Sequence, residues 1–336
     1  MGISSALGSS ALVPAGFGFR NLVINGDFRI NQRAFSSATA DASFGFDRWQ
    51  LATSGGTTYS AQTFTVGNAI SGQEPINFAR LVTTGQSGTG VYSILSHRIE
   101  DVRNCAGQTT TVSFWAKANS GTPKVAIEFE QNFGSGGSPS STVQTYFGQV
   151  TLSTTWTRYV VTGLVPSISG KTIGTTANTS NLRLMLWVSA GTNYNSRTGS
   201  IGIQTNTFDF WGVQVEANNV PTSFEQRPIG VELALCQRYY ERTWNKMHIG
   251  MGVSENGVVA TFVNIPIVPK RSSTLTITSS GTLYQHWGGT QGTYAGYDYS
   301  APDCYLWVKY TSAPLSAGAV GMMYLNSGYL EVSAEL

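Results

Sequence analysis

Three short stretches of this chain carry side chains that could recognise or transform a sugar. Residues 109–118 (TTTVSFWAKA), 124–133 (KVAIEFEQNF) and 182–188 (LRLMLWV) each alternate with period two, the pattern of a strand covered on one face. Val112, Phe114 and Ala116 in the first, Val125, Ile127 and Phe129 in the second, and Leu182, Leu184, Leu186 and Val188 in the third belong on the buried side. The opposite sides then offer Trp115, Lys117, Glu128, Glu130, Arg183 and Trp187. Flat aromatic faces suit the C–H surface of a sugar, and carboxylates and guanidinium groups suit its hydroxyls. If the three strands are neighbours, these six make one carbohydrate-binding strip. The bland alternative covers the tryptophans with a loop or another subunit and pairs the acids and bases on the surface. A second candidate is the glycine-interleaved run 281–301, with Tyr284, His286, Trp287, Tyr294, Tyr297 and Tyr299. Rigid rings among glycines make an adaptable binding loop, and equally a hairpin pinned by cross-strand aromatic pairs.

Catalysis finds less support. Glu128 and Glu130 stand two apart on a strand, about 7 Å along it, near the span of two glycosidase carboxylates. Alternating surface acids produce that spacing by chance. Gly170-Lys171-Thr172 resembles the end of a phosphate-binding loop, but Val165 stands where that loop needs its first Gly. His97, His248 and His286 are scattered, with no G-x-S-x-G nearby. The three cysteines, Cys105, Cys236 and Cys304, form no C-x-x-C and are expected to be buried thiols rather than a zinc site or a disulfide framework. The chain is therefore expected not to be an enzyme, with a polysaccharide depolymerase as the catalytic alternative.

The elements that must position these residues follow from composition. The 336 residues are 41% hydrophobic but only 11% charged, with 38 Gly; an average domain is about 25% charged. Hydroxyl and amide residues fill the places where helices carry Glu, Lys and Ala, which suits strands and turns. Further strands are expected at 59–66, 78–83, 146–152, 158–164 and 207–215, and a loop at 134–142. Eight or more antiparallel strands in about 200 residues fit a two-sheet sandwich. Residues 228–245 (PIGVELALCQRYYERTWN) change character: Leu233, Cys236, Tyr239 and Tyr240 recur at helical spacing. That stripe could pack on its own domain or against copies of itself. Strands resume at 257–267, 273–279, 305–310, 320–325 and 328–336. A net charge of +2 without a basic run excludes nucleic acid and anionic lipid as expected partners. The opening twenty residues lack a basic start and have a broken apolar run, so they are expected to be a docking arm rather than a membrane-inserting segment.

A resemblance adds to this reading. Residues 21–33 (NLVINGDFRINQR), Asp47-Arg48-Trp49, SFWAKA at 113–118, WGVQVE at 211–216, ELALCQRYYE at 232–241 and the ending GYLEVSAEL follow one another in this chain in an order similar to phage tail-fibre and other virion surface proteins. Residues 21–33 and 208–227 each read as a strand running into a polar turn, opening and closing one β-domain. The resemblance implies an all-β protein, a jelly-roll β-sandwich followed by one linking helix and a smaller C-terminal β-domain. The expected division is a virion-anchoring arm at 1–20, a carbohydrate-binding-like jelly roll at 21–227, a helical linker at 228–246 and a β-domain at 247–336. It also implies a location on the phage particle, other virion proteins and a host-surface glycan as partners, and a homotrimer. A capsid-decorating or structural tail protein without a glycan is the alternative. Related jelly rolls hold a structural calcium between first and last strands; by that resemblance Asp27 and Asp209 would be ligands, with backbone carbonyls completing an oxygen shell.

Overall fold

A computed structural model describes residues 19–244 continuously and, beyond them, 248–255, 258–261, 263–266, 269–271, 275–280, 283–285, 291–300, 305–312, 320–325 and 329–335. The low-charge, alternating sequence folds as antiparallel sheets, so the all-β reading stands. One sheet has six strands: β1 (Ser37–Ala38), β3 (Thr57–Thr63), β4 (Asn77–Thr83), β6 (Thr109–Ala118), β9 (Thr157–Leu164) and β11 (Asn206–Glu216), in the order β1-β3-β4-β11-β6-β9. The other has five: β2 (Trp49–Thr53), β5 (Tyr92–Glu100), β7 (Lys124–Asn132), β8 (Val143–Thr151) and β10 (Asn181–Ala190), in the order β2-β5-β10-β7-β8. From β4 onward every connection crosses from one sheet to the other except the β7–β8 hairpin, the winding of a jelly roll.

The two inner faces meet in one core. Val112, Phe114 and Ala116 from β6 and Phe208 and Phe210 from β11 pack against Val125, Ile127 and Phe129 from β7 and Leu182, Leu184, Leu186 and Val188 from β10. The face assignments drawn from period-two alternation are therefore those of the folded protein. Burying each such side chain fully contributes roughly 1.5–3 kcal/mol. In β11 the alternation slips by one residue: Phe208 and Phe210 face inward, then Val213 and Val215, with a register shift between Trp211 and Gln214. Gly212 sits in that bulge at φ +63°, and a Cβ there would lie 2.7 Å from the Trp115 ring.

Residues 21–33 differ from the expected strand. They are irregular, with turns at 24–27, and hold β11 through single backbone bonds, Leu22 N–H to Val215 O (2.9 Å) and Val213 N–H to Gly26 O (2.9 Å). The bulge in β11 prevents a continuous ladder there. Asn25 supplies what a ladder would have: its side chain accepts from Ile30 N–H (2.9 Å) and donates to Ile30 O (2.9 Å) and Asp47 O (3.0 Å).

The helix is shorter than its pattern. A four-residue turn, α1 (Asn195–Thr198), lies between β10 and β11, and α2 covers only Ile229–Gln237. Tyr240–Trp244 forms strand β12 instead. Tyr239 and Tyr240 are buried on the chain itself: Tyr239 Oη donates to Glu100 (2.8 Å), and the Arg48 and Arg33 guanidinium groups lie 3.4 and 3.5 Å from the Tyr239 and Tyr240 ring centres. The helical periodicity of these two residues was that of a helix end followed by a strand.

The C-terminal strands are β13 (His248–Glu255), β14 (Val258–Thr261), β15 (Val263–Pro266), β16 (Thr276–Ser280), β17 (Leu283–Gln285), β18 (Gln291–Ser300), β19 (Tyr305–Ser312), β20 (Val320–Leu325) and β21 (Tyr329–Ser333). They form the sheets β12-β21-β16 and β14-β13-β20-β17-β18-β19-β15. The 281–301 run thus contributes strands β17 and β18.

Candidate functional site

The outer face of the five-stranded sheet carries a groove of about 380 Å³. Strand register arranges its floor in rows. Glu130 on β7, Arg183 on β10 and Arg98 on β5 are cross-strand partners; the next row is Glu128, Met185, Ser96 and Gln50; the next is Ala126, Trp187, Ile94 and Ala52. Tyr92, Tyr194 and Arg197 close the Trp187 end, and Asp41 and Ala42 line a side. One end is therefore charged and the other aromatic. Arg183 and Trp187 stand four positions apart on β10, about 13 Å.

The aromatic end is built around a buried carboxylate. Glu128 has no exposed surface. It accepts two bonds from Arg197 (2.7 and 3.0 Å) and one from Trp187 Nε1 (2.8 Å). Burial raises the pKa of Glu128, against the pull of Arg197 and the Trp187 N–H. The Arg197 guanidinium also lies 4.9 Å from the Trp187 ring centre, a cation–π contact. Tyr92 and Tyr194 pack edge-on to one another at 5.7 Å, and Tyr194 lies 5.2 Å from Trp187. Both tyrosines are partly exposed, so they present the groove's aromatic surface.

At the charged end, Arg183 donates to Ser96 Oγ (3.0 Å) and Arg98 to Gln50 Oε1 (2.7 Å). Glu130 Oε2 accepts from Gln144 (3.0 Å) and lies 3.9 Å from Arg197. Burial, then Arg183 and Arg48, pushes the Arg98 pKa down to about 10. Burial lowers that of Arg183 as well, with nearby carboxylates opposing.

The six-residue strip expected from sequence divides in two. Glu128, Glu130, Arg183 and Trp187 come together on adjacent strands β7 and β10, whereas Trp115 and Lys117 lie on β6 in the other sheet. There Trp115 is buried, packed on Trp211 (5.3 Å) and Phe224 (6.2 Å), because residues 217–227 fold back over it. Lys117 faces Asp209 at 3.7 Å. Trp187 is only 1% exposed and offers no open face, because Tyr194 and Arg197 from the β10–β11 connection pack against its ring. Of the second candidate, Tyr284 falls in β17 and Tyr294 and Tyr297 in β18; their side chains, and Trp287 entirely, lie outside the described residues.

Asp27 and Asp209 do not fit a shared calcium. Arg80 grips both Asp209 oxygens (2.7 and 2.9 Å) and Lys117 adds a second cation, while Asp27 faces Arg29 at 3.1 Å. Each carboxylate already has its counter-ion. Among the described residues no group of three His, Cys, Asp or Glu side chains could hold a metal ion. The glycosidase spacing of Glu128 and Glu130 also loses its meaning, since Glu128 is sealed under Arg197 and Trp187.

Sequence reasoning missed Asp41, Gln50, Tyr92, Arg98, Tyr194 and Arg197. The strand YSILSHRIE places apolar residues on both faces, Ile94 outward and Leu95 and Ile99 inward, which blurs period two. Tyr194 and Arg197 lie in a connection, where no periodicity exists to find them.

No protein-family model and no curated protein matches the chain. Solved structures do resemble it. A chain described as CBM4 is 15% identical, with 58% of this chain and 99% of that one covered at a TM-score of 0.33. The CBM22-2 xylan-binding domain of Paenibacillus barcinonensis Xyn10C is 18% identical, covering 54% and 98% at 0.32. A family 11 carbohydrate-binding module from Clostridium thermocellum, in complex with a mixed-linked tetrasaccharide, is 10% identical, covering 56% and 99% at 0.32.

Proposed function

We propose that this chain is a glycan-binding protein and that the groove on the five-stranded sheet is its binding site. The observation that carries this is the groove's floor, where partly exposed Tyr92 and Tyr194 stand beside side chains fixed by their own bonds. A sugar needs an apolar plane and oriented polar groups on a rigid base; the Glu128–Arg197–Trp187 lock and the strand register supply that base. The same lock argues for binding rather than hydrolysis, because it commits one of the two neighbouring glutamates to structure.

At a finer level, we propose a phage virion surface protein, a tail-fibre or receptor-binding subunit that meets host-surface glycan and works as a homotrimer. The order of the segments at 21–33, 47–49, 113–118, 211–216 and 232–241 supports that placement. A capsid-decorating protein would keep the fold without a ligand. Screening the full chain against an array of bacterial surface polysaccharides tests the binding claim, with Tyr92→Ala as control; selective binding lost in the variant is expected, and a uniformly negative array favours decoration. Density for the chain at a tail tip in a map of the intact particle is expected on the finer reading, and a capsid lattice would overturn it.

A further inference from the structure

Resting on the groove as a saccharide site, we propose that its charged end recognises an acidic saccharide, whose anionic group is set against Arg183. Arg183 lies in the middle of the row at the charged end, with Arg98 as its cross-strand partner on one side and Glu130 on the other. Like charges directly opposite on neighbouring strands destabilise a sheet, and here the pair is kept in a partly buried groove. The carboxylates nearby act on Arg183 through space but accept their hydrogen bonds from other donors. Glu128 is taken by Arg197 and Trp187, Glu130 faces Gln144 and Arg197, and Asp41 accepts from Thr53 N–H (2.8 Å).

Arg183 itself makes one hydrogen bond, to Ser96, and its Nε is buried without an acceptor. A guanidinium carries five donors in a planar fork that matches a carboxylate bidentately, so most of the Arg183 fork is unspent. An anion arriving from solvent gains charge-assisted bonds from the guanidinium that lines the groove, and a neutral hydroxyl gains weaker ones. Arg183 and the tyrosines sit at opposite ends of the floor, which suits an oligosaccharide with an acidic residue at one end and a ring on Tyr194 at the other.

The test is calorimetric titration of the full chain with hexuronic-acid oligosaccharides and their methyl esters, and with sulfated oligosaccharides and their desulfated forms, in wild type, Arg183→Gln, Arg183→Lys and Tyr194→Ala. Expected is at least a tenfold preference for the charged member of one pair, which also names the acid as carboxylate or sulfate. Arg183→Gln abolishes the preference, Arg183→Lys retains part of it, and Tyr194→Ala weakens charged and neutral forms alike. The lysine variant guards against a glutamine variant that merely misfolds. Equal affinity for charged and neutral forms, lost in Tyr194→Ala, overturns the acidic preference and keeps the groove. Absence of binding by every saccharide overturns both.

Discussion

Glu128 holds the aromatic end of the groove together through its two oxygens, and replacing it is expected to loosen Arg197 and Trp187 at once. A buried donor stripped of its acceptor costs about 1–3 kcal/mol, so Glu128→Ala, which leaves the Trp187 N–H unpartnered, should lower urea stability by about that much, and a near-neutral effect would show that the lock is dispensable. Asp47 is a second buried carboxylate, fully covered and facing Gln32 N–H (3.1 Å) and Arg33 (3.5 Å). Burial, only partly offset by Arg33 and Gln32, pushes its pKa up to about 6. The folded protein therefore binds this proton more tightly than the unfolded chain does. Its contribution to stability is full below about pH 4 and is lost as pH rises through 6, a swing of about 3 kcal/mol. Unfolding curves of wild type and Asp47→Asn between pH 4 and 7.5 should show wild type losing ground to the variant as pH rises; a pH-independent difference would contradict the assignment.

Strand β11 illustrates what a strand must do besides alternate. Its bulge turns Trp211 outward onto Trp115 and Phe224 while returning Val213 and Val215 to the core, and only a residue without a Cβ fits beneath the Trp115 ring at φ +63°. Gly212→Ala is expected to cost about 1–3 kcal/mol through strain and overpacking, read as a fall in thermal midpoint; an unchanged midpoint would mean the bulge can relax. The inward faces of β6, β7 and β10 were legible because each run keeps one unbroken apolar stripe. Which sheet each strand joins was not, since alternation gives a strand's faces and says nothing of its neighbours. Trp115 and Trp187 looked equivalent in sequence for that reason. They lie on different sheets, each under its own cover, and the tyrosines left open to the groove come from a strand with two apolar faces and from a turn.

At the scale of the whole molecule, the C-terminal strand β21 is fastened to the sandwich. Glu335, just beyond it, pairs with Arg33 (3.1 Å) and with Arg48, both from the sandwich, and Arg242 on β12 lies 3.7 Å from Glu331. The Arg48 side chain is 1% exposed, so Glu335→Ala would leave that cation without its carboxylate. A loss of about 3–5 kcal/mol is expected in chemical denaturation, and a change below ~1 kcal/mol would show the clamp to be incidental. The ligand surface we propose is the outer face of the five-stranded sheet. Titration of the intact chain with a saccharide that it binds, compared between wild type, Tyr194→Ala in the groove and Lys117→Ala on the opposite sheet, tests that claim most directly. The predicted result is at least tenfold weaker binding for Tyr194→Ala, about 1.4 kcal/mol, with Lys117→Ala unchanged; full affinity in Tyr194→Ala with loss in Lys117→Ala would place the ligand on the other sheet and contradict the account.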